Sequence, residues 1–263
     1  MNLVPIKMVL PTLNPGEVIG PYKVEGELGR GQYGIAYLAW DTVHSRDVVL
    51  KHASASREVG ALQKLSSHPY CAAFLLCLHE VIRYGGRDYL VLEYIPGTVL
   101  EYGDFPLEKL WLMLGELLQA ITYIHSQGYT HGDIHDRNIM WTGTEVKLID
   151  FGRAGESPPG DMSYRYDVVY VLAAIMNHAN IPAPLQLAFL LRKRGEPMTF
   201  SDYQQRLEDI EIPLDPIREK MIQIYLLYQE LSKIPDLEHL SGRLLEKYQE
   251  LDQELTSSFA TDV

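Results

Sequence analysis

The chain has 263 residues, 46% of them hydrophobic, and a formal net charge of −12. That length allows one large domain or two lobes with a sizeable core. The acidity argues against duplex nucleic acid or an anionic membrane as a partner, since both favour a basic face, and no apolar run reaches the roughly 18–20 residues of a membrane helix.

Residues 1–20 carry prolines and a single Lys7, with no compact apolar core ending in small residues. They read as an N-terminal tail rather than a signal peptide. Tyr22 to Leu28 alternates, a glycine turn follows, and Ile35 to Trp40 resumes as a strand. Asp47 to Lys51 is a third strand. Glu58 to Leu65 has helical spacing through Val59, Leu62 and Leu65. Cys77 to Arg83 and Asp88 to Tyr94 flank Tyr84-Gly85-Gly86-Arg87, a hairpin signal. Cys71 and Cys77 are the only cysteines and lie in an apolar stretch. Two buried thiols in a reducing compartment are expected of them, not a structural disulfide.

Pro96-Gly97 marks a break, dividing residues 21–95 from 96–263. Leu107, Leu110, Trp111, Leu114, Leu118, Ile121 and Ile124 then fall on one face of a long helix that stops at Gly128. An acid-bearing loop follows, then a short hairpin around Thr142-Gly143-Thr144. From Asp167 onward the chain reads as helical, punctuated by Pro182, Pro184, Pro197, Pro213, Pro216 and Pro235. Leu237, Leu240, Leu244, Tyr248, Leu251 and Leu255 repeat at three-and-four spacing. This is an amphipathic helix packed on its own domain, with a dimerising coiled coil as the alternative.

The chemistry concentrates in two stretches. His131-Gly-Asp133-Ile-His135-Asp-Arg137-Asn138 sets an acid and an amide on one loop, and Ile149-Asp150-Phe151-Gly152 adds a second acid after the hairpin. Phosphoryl transfer from ATP needs such a set: one carboxylate to receive a hydroxyl proton, and an amide with a second carboxylate to hold Mg²⁺. Gly29-Arg-Gly31-Gln-Tyr-Gly34 lies between two strands, where glycines let a hairpin backbone approach a triphosphate. The strand after it disfavours a dinucleotide fold, and the missing Gly-Lys-Ser/Thr disfavours a P-loop. Lys51 follows Val49 and Leu50, an apolar run that draws it inward. A buried lysine needs a partner, and Glu58 is the sole carboxylate between His52 and His79.

The order Gly-x-Gly-x-x-Gly, Lys51, Glu58, His68-Pro69, Tyr89-Leu-Val-Leu-Glu93-Tyr94, His-Gly-Asp133, Asn138 and Asp150-Phe-Gly152 is similar to the protein kinase superfamily, from about Tyr22 to about Ile175. The resemblance implies an α+β, bilobal protein-kinase-like fold: a five-stranded antiparallel N-lobe with one helix and a mainly helical C-lobe. It also implies ATP and Mg²⁺ as cofactors. Leu28 and the glycines Gly29, Gly31 and Gly34 would cover the phosphates, and Lys51, paired with Glu58, would contact them. Ala36, Val49 and Met140 would sandwich adenine, with Leu92 as gatekeeper and Glu93, Tyr94 and Ile95 as hinge. Asp133 matches the catalytic base, and Asn138 and Asp150 the metal ligands. Leu62, His131 and Phe151 match the stacked apolar residues that link the lobes. Asp167, opening a helix, resembles the aspartate that braces the catalytic loop.

Four departures from the family pattern matter. Gly132 replaces the arginine that binds an activation-loop phosphate, so a kinase independent of such phosphorylation is expected. Only Arg153 to Tyr166 separates Gly152 from Asp167, and no Ala-Pro-Glu closes that segment. His135 stands where serine/threonine kinases carry lysine, as in aminoglycoside and choline phosphotransferases, while Arg137 resembles tyrosine kinases. Either side chain is a candidate to neutralise the transferring phosphoryl group. The short Lys51–Glu58 spacing argues against regulation by helix displacement. The expected activity is that of a compact, atypical serine/threonine protein kinase. A small-molecule kinase of aminoglycoside or choline type and an ATP-binding pseudokinase are the alternatives. The expected acceptor is a Ser/Thr hydroxyl of a protein, or a small amino-alcohol, with no nucleic acid or membrane partner. A cytoplasmic monomer, or a weak dimer through the C-terminal helix, is expected.

Overall fold

The computed structural model describes residues 12–31, 34–52, 56–66, 71–181, 199–234 and 239–260. The tip of the glycine loop at 32–33, His68-Pro69, Pro182, Pro184, Pro197, Pro235 and Leu237 lie outside the described residues. Two compact units divide the chain. The first is Met1–Cys71 with Cys77–Tyr94, and the second is Ala72–Leu76 with Ile95–Val263.

The first unit is an antiparallel sheet with one helix. Its strands are β1 (Val18–Ile19), β2 (Tyr22–Gly31), β3 (Gly34–Asp41), β4 (Arg46–His52), β5 (Leu78–Tyr84) and β6 (Arg87–Glu93), in the order β1-β2-β3-β4-β6-β5. The helix α1 spans Ser56–Leu65. The five strands expected from the sequence are all present. The sixth, β1, comes from the segment read as a tail, which also sends Leu13 and Ile19 into the core. Period-two alternation separates the faces. Ile35, Tyr37, Ala39, Val48, Leu50 and Val91 form the core cluster. Ala36, Val49 and Lys51, half-buried, point to the opposite face.

Cys71 and Cys77 form a disulfide, with Cα atoms 5.4 Å apart. This corrects the expectation of two buried thiols: Cys77 is buried, but Cys71 is exposed. The physical reason is a local reversal. Phe74 takes φ 63° and Leu75 N–H donates to the Ala72 carbonyl, folding the chain back on itself. The cysteines therefore lend no support to a reducing compartment. Alkylation without reductant should leave both sulfurs unlabelled. Reduction, or Cys77→Ser, should lower the unfolding free energy by about 2 kcal/mol, the loop-entropy value for so short a ring; unchanged urea unfolding would contradict the bond.

The second unit is mainly helical. The helices are α2 (Leu107–Ser126), α3 (Met162–His178), α4 (Phe200–Asp209), α5 (Pro216–Leu231) and α6 (Leu240–Ala260). The starts of α3, α4 and α5 carry side-chain caps. Thr199 and Asp202 make a capping box on α4, and Asp215 caps α5 with proline at its first position. Helix α2 ends just before Gly128, whose φ of 76° suits glycine. Helix α3 begins at Met162, not at Asp167, because the Asp161 side chain accepts the Ser163 N–H. Leu240, Leu244, Tyr248, Leu251 and Leu255 of α6 are buried. Tyr248 stacks on Trp111 at 4.5 Å, and Trp111 Nε1–H donates to Asp252. The apolar stripe of α6 is thus covered within the chain itself. No described helix is long and apolar enough to cross a membrane.

Candidate active site

In the first unit, Lys51 sits on β4 opposite Ala36 on β3 and Leu90 on β6. Its Nζ donates to Glu58 Oε1 at 2.6 Å, from the first turn of α1. Glu58 is 1% exposed and Lys51 14%, so this is a largely desolvated ion pair. Gly29 pairs with Ala36, and Gly31 with Gly34, across the β2–β3 ladder. Gly34 cannot carry a side chain: its φ is 151°, and a Cβ would lie 2.8 Å from the His52 carbonyl. Leu28 is exposed, whereas Leu92 is buried on β6. Glu93 N–H donates to the Cys77 carbonyl, and the Glu93 carboxylate accepts the Cys77 N–H. Tyr94 ends the first unit, and Ile95 begins the second segment of the other.

In the second unit three small ladders build the acid-bearing loop. β9 (Ile139–Trp141) pairs with β10 (Val146–Leu148), and β7 (Thr98–Val99) joins its far edge, placing Met140 beside Val99. Buried Glu116 on α2 accepts the Val146 N–H at 2.7 Å, which anchors this hairpin. Leu148 faces Ile139, and the ladder is carried one step further by Ile149 N–H donating to the Asn138 carbonyl, so Asp150 follows directly on the residue opposite Asn138. β8 (Tyr129–Thr130) pairs with β11 (Gly155–Glu156), which lays the segment after Asp150 along the start of the Asp133 loop.

Asp167 holds that loop from below. Its carboxylate accepts the His131 N–H at 2.7 Å and the Gly132 N–H at 2.9 Å. His125 Nε2 lies 3.3 Å from the same group. His131 is buried against the Phe151 ring at 4.8 Å. Burial holds its imidazole below the ordinary range, against the pull of Asp167. In the neutral ring Nε2–H donates to the Ile149 carbonyl, and Nδ1 accepts the Asp133 N–H. Asp150 takes φ 62°, a left-handed conformation that aspartate tolerates better than most residues.

Asp133 faces the Arg153 guanidinium, with Nη1 at 3.4 Å, and the His135 imidazole, with Nε2 at 4.0 Å. Arg137 turns away, donating to Glu101 at 2.8 Å. Tyr102 and Arg137 together hold the Glu101 carboxyl below its usual range. Arg153 was missed in the sequence, although it follows Gly152 directly on the segment that Gly132 approaches. Gly132 has φ 74°, and a Cβ there would meet the Arg153 carbonyl at 2.8 Å. Gly132→Ala should therefore destabilise the protein by about 1–2 kcal/mol in urea unfolding; no loss would mean the loop adopts another conformation.

The donor set suits a hard divalent cation. Asn138 and Asp150 offer oxygen, the preference of Mg²⁺. The Asn138 amide nitrogen donates to the Asp133 carbonyl at 2.9 Å, which fixes the side chain with its oxygen as the remaining ligand atom. No cluster of three or more His, Cys, Asp or Glu with metal-site geometry occurs among the described residues, so a cation here would draw further ligands from elsewhere, as Mg²⁺ does from phosphates and water.

The protein kinase domain model matches residues 22–178, more than half of the chain. The chain is 34% identical over 162 residues to the serine/threonine-protein kinase PknG of Mycobacterium leprae, covering 54% of this chain and 21% of that protein. It is 30% identical over 154 residues to a probable serine/threonine-protein kinase of Clostridium acetobutylicum, CA_C1728, covering 52% and 23%. It is 28% identical over 159 residues to the probable serine/threonine-protein kinase YbdM of Bacillus subtilis, covering 54% and 60%. The matches thus span only about a fifth of the length of the first two.

Proposed function

The chain belongs to the protein kinase domain family, and from that premise we propose that it is a compact, atypical serine/threonine protein kinase using ATP and Mg²⁺. The observation that supports this reading is the Asp167-braced loop that carries Asp133 and Asn138, with Asp150 one residue beyond the Ile149–Asn138 backbone bond. ATP supplies the phosphoryl group, and Mg²⁺ offsets the charge on it. Asp133 receives the proton of the acceptor hydroxyl; Asn138 and Asp150 hold the cation; Lys51, oriented by Glu58, contacts the phosphates. Leu92, with Glu93, Tyr94 and Ile95, receives adenine. Arg153 and His135, both facing Asp133, take the charge-neutralising role that Arg137, turned to Glu101, does not fill.

A small-molecule kinase is the second reading, favoured by the short Arg153–Tyr166 segment. A cleft of about 250 Å³ beside Asp133 bears on it. Its wall mixes Asp133 and Asp136 with Arg153, His135 and Tyr170. That is not the purely acidic pocket a cationic amino-alcohol would favour.

Incubation with γ-labelled ATP, generic protein substrates and a panel of amino-alcohols tests both readings. Label in protein Ser/Thr, abolished by EDTA, is expected; label confined to amino-alcohols would replace the first reading with the second. Phosphatase pretreatment should change the rate by less than about twofold, because Gly132 offers no cation to an activation-segment phosphate. A large loss would refute that independence.

A further inference from the structure

Within the second unit a cleft of about 420 Å³ opens between the end of α2, the Pro159–Gly160 turn with Tyr164, and the start of α6. Its volume falls in the range that holds drug-sized ligands. Among the described residues its wall contains no carboxylate, ammonium or guanidinium; its titratable groups are the His125 and His239 imidazoles and the Tyr164 hydroxyl. A charged ligand would lose water there without a carboxylate, ammonium or guanidinium of the described wall to offset the loss.

The polar groups of the wall are mostly engaged by the protein itself. Ser241 Oγ lies 2.9 Å from His125 Nδ1, Ser126 Oγ–H donates to the Tyr123 carbonyl, and the Tyr164 hydroxyl donates to the Ser157 carbonyl. What the cleft presents is ring and aliphatic surface. His125 and Tyr164 meet edge to face at 4.7 Å and 76°, forming an aromatic corner. His125 is also the link to the loop above, since its other nitrogen reaches Asp167, and Asp167 holds the His131 and Gly132 amides.

We propose that this cleft binds an uncharged aromatic small molecule, and that its occupancy changes the hold of Asp167 on the Asp133 loop through His125. The binding stands independently of the kinase reading. Only its effect on phosphotransfer rests on that reading.

Indole is the probe, with indole-3-acetate and tryptamine as its anionic and cationic counterparts. Amide NMR should show indole shifting Gly128, Gly160 and Gly242 at millimolar or lower concentration, with both charged analogues at least about tenfold weaker. Gly242→Met should fill the cleft, since a Cβ there lies 3.9 Å from Thr122 and His239 without overlap. It should weaken indole by at least about tenfold. Ser126→Phe, on the exposed rim, serves the same purpose if the first variant does not fold. Hydrogen exchange of the His131 and Gly132 amides should change with indole and not with the analogues, whether or not the protein transfers phosphate. Scattered shifts, equal binding of the charged analogues, or binding unaffected by the filled variants would overturn the site. Binding at the cleft with unchanged His131 and Gly132 exchange would overturn the coupling.

Discussion

Asp133→Asn is expected to lower the phosphotransfer kcat by about 10²–10⁴-fold, the usual contribution of a general base, with little change in melting temperature. The side chain is partly exposed and touches Arg153 and His135 only at 3.4 and 4.0 Å. The bonds that shape the loop run through the Asp133 backbone, from its own N–H to His131 and from Asn138 to its carbonyl. Asparagine keeps the shape and those bonds but cannot accept the proton. Initial rates with γ-labelled ATP, beside a melting curve, read both effects. A loss under tenfold with the fold intact would remove Asp133 from the chemistry.

Asp167→Ala should cost about 3–5 kcal/mol of stability in urea unfolding. The carboxylate is 1% exposed and takes two backbone amides and an imidazole. Hydrogen bonds to a charged group contribute about 1.5–3 kcal/mol each, and orphaned buried donors add a desolvation cost. Asp167→Asn keeps one acceptor oxygen and should lose roughly half as much. The alanine variant should also lose phosphotransfer activity, because His131 and Gly132 immediately precede Asp133. A stability change below about 1 kcal/mol would show that the loop holds its shape without this support.

Much of this arrangement was legible in local pattern. Alternation marked β2, an apolar run marked the strand of Lys51, and the turn at Gly85-Gly86 linked β5 and β6. Elimination named Glu58 as the Lys51 partner because so few carboxylates lay in reach, and the pair closes at 2.6 Å. The unread parts lack a local signature. A two-residue strand such as β1 is too short for any period to register. The Cys71–Cys77 bond depends on a left-handed Phe74, which no propensity marks. His125 and Ser241 meet across 116 residues, a contact fixed by how α6 packs on α2. Arg153 reaches Asp133 only because the β8–β11 ladder runs the two segments together. The start of α3 was different: Asp161 offered a readable cap, and the helix was placed too late without it.

The packing of α6 also bears on how the protein should be trimmed. The kinase match ends at residue 178, yet Trp111 inside it leans on Tyr248, and Gly115 has no Cβ where the Tyr248 ring passes. A fragment cut to the matched boundaries would expose that aromatic seam to water and deprive His125 of Ser241. The stretch that family likeness picks out therefore leaves out part of the packing that supports it, and a shortened version is expected to unfold at lower urea than the full chain.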